Sequence, residues 1–179
     1  KDLRAERVYR ADPSGVNNTG AKWLTMLTAG WAFPSRRKAK ARPLLDNTPL
    51  RSLLDEMVHL QRLPQVMHDG HLRSLAITAS SYSSGDHVTF FESVDDVEPW
   101  TRQHRTSVRG RIGIEHLMAS SAIPFVFPAM PLHFEGQTEW FGDGSMRQSA
   151  PISPAVHLGA QRVLIVGAGR MQEPLGRRR

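Results

Sequence analysis

The sequence predicts an α/β domain with a largely parallel central sheet flanked by helices. Near its end a helical pattern over residues 151–158 is closed by Gly159 and followed at once by 162–166, an apolar β-branched run of the kind buried on both faces of a parallel sheet. Upstream, 139–141 reads as a strand running directly into Gly142-Asp143-Gly144, a turn of the sort found at the edge of an open α/β sheet. The composition permits a core: 40% of the 179 residues are hydrophobic and 22% charged, in a length suited to one domain.

Taken in order, residues 1–10 set Leu3, Arg7 and Arg10 on one side, with Arg4 and Val8 beside them. They read as the last turns of a helix that stops before Asp12-Pro13-Ser14-Gly15. A second helix-compatible segment, 21–32, is ended by Pro34. Asp46-Asn47-Thr48-Pro49 opens a third, with Asn47 or Thr48 as cap and Leu50, Leu53, Leu54, Met57 and Val58 at helical spacing. Alternation over 71–80, turn residues over 81–86 and a returning run over 87–91 predict a hairpin. Segments 95–101 and 109–121 read as helices, the second stopping before Pro124. After a proline-bounded apolar loop over 124–131, 132–134 and 139–141 flank Glu135-Gly136-Gln137 as a second hairpin.

The formal charge of +6 is local. Arg36, Arg37, Lys38, Lys40 and Arg42 crowd one loop and Arg177, Arg178 and Arg179 form a tail; setting these aside leaves 15 basic residues against 17 acidic ones. No aromatic residue lies between these charges, as a single-strand stacking groove would want, so nucleic acid is not an expected partner. The loop suits a solvated segment or a peripheral contact with an anionic membrane surface. No run approaches the ~20 apolar residues of a spanning helix. The absence of cysteine excludes disulfides, thiolate zinc sites and a cysteine nucleophile. The resulting map is a helical lead-in over 1–34, the basic loop 35–43, a core over 44–168 that carries the Asp-Gly motif, and the basic tail 169–179.

Asp143, between Gly142 and Gly144, is the most unusual local feature, its glycines allowing a sharp turn that presents the carboxylate at the sheet edge where open α/β folds build their sites. Asp69-Gly70 is the same dipeptide in an ordinary turn and serves as its control. His59, His68, Asp69 and His71 are a rival metal reading, weakened by the turn their spacing straddles and by the lack of a helical zinc-hydrolase pattern. Ser120 and Ser121, at a helix end before proline, read as capping and packing residues. Met118, Met130, Phe125, Phe127 and Trp140 read as core, or as the wall of a ligand pocket.

The order of Ala119-Ser120-Ser121-Ala122-Ile123-Pro124, Phe127-Pro128, a hairpin, Gly142-Asp143-Gly144, Ala150-Pro151 and Leu158-Gly159-Ala160 resembles the patatin-like phospholipase family. Asp46-Asn47-Thr48-Pro49-Leu50 is similar to the family's segment before its mid-domain helix, so the likeness covers most of 40–168. Ala129 stands where the family has a second proline, and Ser145 where it has a second glycine or an alanine. The resemblance implies lipid acyl hydrolysis by a Ser-Asp dyad, with Asp143 as proton acceptor, a lipid or ester substrate, and neither cofactor nor metal. It also calls for a Gly-x-Ser-x-Gly elbow and a glycine-rich oxyanion loop, and the 179 residues contain neither. The chain is therefore expected to be the later portion of a longer hydrolase domain, inactive alone, in the cytoplasm or peripheral to a membrane. The rival expectation is a non-catalytic binding or regulatory module that keeps the same shell. Burial under Phe141 and Met146 would make Asp143 a better base.

Overall fold

The structure, a computed structural model, describes residues 7–9, 44–134, 136–146 and 152–167. The segment 21–32, the basic loop, the tail and all but three residues of 1–10 lie outside the described residues, as does the Met146 side chain.

Helix α1 (Thr48–Met57) begins where Pro49 has helical φ and no N–H to lose. Its cap differs from expectation. Asn47 holds the N-cap position without a side-chain bond, and Asp46 Oδ1 accepts the Thr48 N–H (3.0 Å) and the Thr48 hydroxyl (2.6 Å) instead. Only Leu53 of this helix is buried, and Met57 is exposed. A short 3-10 turn (Leu60–Arg62) leads into α2 (Leu63–His68), which buries Leu63 and Met67.

Strands β1 (Ser74–Ser81) and β2 (His87–Ser93) form the first predicted hairpin, paired from Ser74 with Ser93 to Ser80 with His87. The second is β5 (Met130–Phe134) with β6 (Gln137–Asp143), its turn fitted by Gly136 at φ +80°. β3 (Thr101–Arg102) and β4 (Arg105–Arg109) complete a six-stranded sheet in the order β3-β4-β2-β1-β6-β5. The α/β class stands, with a mixed sheet: β2 and β4 run parallel, and the other four neighbouring pairs are antiparallel. Strand alternation puts Ile77, Ala79, Val88, Phe90, Leu132, Phe134 and Phe141 on one face. Helix α3 (Ile114–Ser120) packs there through Ala119, with Leu63, Met67 and Ile112 joining the cluster. Edge-on contacts of Phe141 with Phe90 (5.4 Å) and Phe134 (5.9 Å) tie β6 into this core.

Three expected elements differ. Residues 95–100 are irregular rather than helical, and the segment ends with the Trp100 backbone bonded to β4. Trp100 donates its N–H to Ser107 Oγ (2.6 Å), its carbonyl accepts the Ser107 N–H (2.9 Å), and Pro99 has no donor. The helix expected over 109–121 is confined to Ile114–Ser120, since Arg109 ends β4 and the Gly113 N–H is taken by His116 Nδ1 at 3.0 Å. The run 162–166 forms no strand: Leu164 is 90% and Val166 89% exposed, and among the described residues no strand pairs with it. β-propensity expresses packing against neighbours, and here none is supplied. Helix α4 (Ile152–His157), closed by Gly159 at φ +85°, does match its pattern. Among the described residues no helix is long and apolar enough to cross a membrane.

Candidate active site

Asp143 is the last residue of β6 and is half-buried. Its backbone is fixed from two sides. It pairs with Ala79 of β1, and its N–H donates to the Ala122 carbonyl (2.9 Å) in the loop after α3. The chain then enters a 3-10 turn (Gly144–Met146), in which Ser145 binds both carboxylate oxygens. Its N–H donates to Oδ1 and its hydroxyl to Oδ2, each at 2.8 Å. A carboxylate has about four lone-pair positions, so acceptor capacity remains on both oxygens. Among the described residues no Lys, Arg or His forms an ion pair with Asp143.

The flanking glycines serve a different purpose from the one their sequence suggests. Neither has a positive φ, so no sharp left-handed turn is made. A Cβ on Gly144 would collide with the Thr78 carbonyl, and one on Gly142 with the Tyr82 phenol while lying 3.2 Å from the Ala122 carbonyl. They are glycines because other groups occupy the space of a side chain, and that close approach seats the end of β6 against β1.

Phe141 is fully buried two residues before Asp143, so the strand leading to the carboxylate is anchored in the core. Tyr82 supplies the nearest electrostatic signal: burial, and then the negative charge of Asp143, push its phenol above the ordinary value. Two further groups that sequence reasoning missed are buried in the same corner, Ser81 and Glu139, joined by a 2.6 Å bond from Ser81 Oγ to Glu139 Oε1. Their signal is legible only in retrospect, as a charged residue on the inward side of an alternating strand and an aromatic residue set in a Ser-Gly turn.

The other candidates fall elsewhere. Asp69 caps the end of α2, exposed, and accepts the Gln65 side-chain amide at 2.7 Å. His59, His68 and His71 are exposed, and among the described residues no three His, Asp or Glu side chains gather as a metal site. Ser121 is exposed and its Oγ donates to the carbonyls of Leu117 (2.9 Å) and Met118 (3.2 Å) at the helix end, the capping part of the role expected of it. Met118 is core; Met130 and Phe127 are half-buried, whereas Phe125 and Trp140 are 68% and 50% exposed, and Phe125 holds φ +66°.

The arrangement offers a positioned carboxylate with free acceptor capacity at a strand end, which suits accepting a proton from a hydroxyl brought against it. Compared with known proteins, residues 5–156 match the family model described as Patatin-like phospholipase. No curated protein matches the chain, and no solved structure does.

Proposed function

The chain belongs to the patatin-like phospholipase family, and from that premise we propose that it carries the aspartate half of a Ser-Asp dyad in a lipid acyl hydrolase. Membership makes the substrate class a lipid or ester. Asp143 is the proton acceptor, Gly142 and Gly144 hold it in place, and residues 44–168 are the part of the domain that supports it. The observation that carries this reading is the anchoring of Asp143, by Ala79, Ala122 and two close-approach glycines, with its carboxylate unneutralised by any cation among the described residues.

A serine hydroxyl is a weak nucleophile until a base takes its proton. In the proposed cycle a glycine-flanked serine outside these 179 residues attacks the ester carbonyl as its proton passes to an Asp143 oxygen. The leaving alcohol then takes that proton, which leaves an acyl-serine. Water repeats the exchange through the same carboxylate and releases the acid. The oxyanion formed at each step needs backbone donors from a glycine-rich loop, and these contribute much of the rate. The basic loop at 36–42 would bring the enzyme to an anionic lipid surface, a contact that weakens with added salt.

The 179-residue chain alone should therefore leave short p-nitrophenyl esters at their background rate. Turnover abolished by Ser120→Ala or Ser145→Ala would place the nucleophile inside the chain and overturn the division of the dyad. A longer protein that has the glycine-flanked serine yet no esterase activity would favour the non-catalytic module.

A further inference from the structure

The turn between β1 and β2 is held by more than its sequence requires. Ser81 Oγ accepts the N–H groups of Ser83 and Ser84, each at 3.1 Å, and donates to Glu139 Oε1 at 2.6 Å. Ser81 is 2% and Glu139 6% exposed, and Glu139 Oε2 is buried with no hydrogen-bond partner. Burying a carboxylate with one oxygen unmatched is unfavourable, and a surface turn closed by its own backbone does not need it. What the pair does achieve is a single conformation for residues 82–84. Tyr82 is the first of these, and its N–H continues the β1–β6 ladder by donating to the Trp140 carbonyl at 2.9 Å.

That conformation lays the Tyr82 ring on Gly142. A Cβ at Gly142 would collide with Tyr82 Oη and lie 2.6 Å from Cζ, so the phenol fills the space a side chain would take. The next residue is Asp143, whose N–H is already committed to Ala122. We propose that Tyr82 is a positioning residue of the Asp143 site: seated on Gly142 by the Ser81–Glu139 clamp, its ring fixes the strand end from which the carboxylate projects. Burial, and then the negative charge of Asp143, raise the pKa of the phenol above its ordinary value.

This inference rests on the reading of Asp143 as the base, but its test needs no turnover. The chain has two tyrosines, Tyr9 and Tyr82. In a Tyr9→Phe background, ultraviolet titration of tyrosinate, with circular dichroism to confirm folding at each pH, reports Tyr82 alone. Asp143→Asn should move the midpoint to lower pH, while Asp69→Asn leaves it in place. Gly142→Ala, which evicts the phenol, and Ser81→Ala, which releases the turn, should also lower it. If Asp143→Asn does not fold, these two variants read the same seat. A midpoint indifferent to Asp143→Asn, or to Gly142→Ala, overturns the proposal. In the active enzyme, Tyr82→Ala should lower kcat about tenfold with KM little changed, and Tyr82→Phe, which keeps the ring on Gly142, should restore most of it. A shifted midpoint with undiminished turnover in Asp143→Asn would sink the dyad and leave the coupling intact.

Discussion

Asp69-Gly70 and Asp143-Gly144 are the same dipeptide put to opposite uses. Gly70 sits just past α2 at φ +77° with open space where a Cβ would be, so its role is backbone freedom alone. Gly144 has no positive φ but lies against the Thr78 carbonyl, so its role is absence of volume. The carboxylates follow suit. Asp69 is exposed and bonded one helical turn back to Gln65, whereas Asp143 is half-buried, holds Ser145 through both oxygens, and is tied through its backbone to two other elements. A turn that only reverses the chain needs nothing from the rest of the fold. A turn that fixes one side chain in place is built from it.

The comparison can be broken by filling each glycine. Gly144→Ala should have the largest effect, about 3 kcal/mol, because its obstacle is backbone and a sheet cannot retreat locally. That corresponds to a melting temperature lower by roughly 6–12 °C. Gly142→Ala should be milder, about 1–2 kcal/mol, since the Tyr82 ring can swing out while the Ala122 carbonyl yields only slightly. Gly70→Ala has room for its methyl and should lose only the left-handed preference, about 1 kcal/mol. Equal melting shifts for Gly144→Ala and Gly70→Ala would erase the distinction.

His116 supplies a smaller test of the core that carries Asp143. Its Nδ1 accepts the Gly113 N–H, so the neutral ring carries its proton on Nε2, and it lies 4.7 Å from Phe90. Burial lowers its pKa from the ordinary 6.5. Above that value both folded and unfolded chains have it neutral; below it the unfolded chain binds the proton first, so stability falls with pH until the folded-state pKa is passed. Thermal melts stepped downward from neutral pH should show this slope, and His116→Asn should lose the part of it due to this group. A wild-type and variant with identical slopes would mean that the ring is not held neutral by its surroundings.

The hairpins and α1 were legible because local chemistry decides them: Gly136 in a two-residue turn, Pro49 at a helix start, alternation through 87–91. Residues 95–100 and 162–166 depart from their local pattern because their outcome depends on partners. Ser107 captures both backbone polar groups of Trp100, and the apolar run at 162–166 finds no neighbouring strand among the described residues. The same division runs through the candidate site. Asp143 stood out by its glycines, although for the wrong physical reason, while Tyr82, Ser81 and Glu139 were invisible because they meet only when β6 pairs with β1.

The most direct test of the central claim is a paired substitution in the hydrolase that contains this chain together with a glycine-flanked serine, with kcat and a thermal melt measured for Asp143→Asn and Asp69→Asn. An amide keeps the carboxylate's shape but cannot take the serine proton. Asp143→Asn should therefore lose on the order of 10²-fold or more in kcat with its melt nearly unchanged, and Asp69→Asn should stay close to wild type in both. Equal losses in the two variants, or a loss in Asp143→Asn that its melt accounts for, would contradict the assignment of Asp143 as the base.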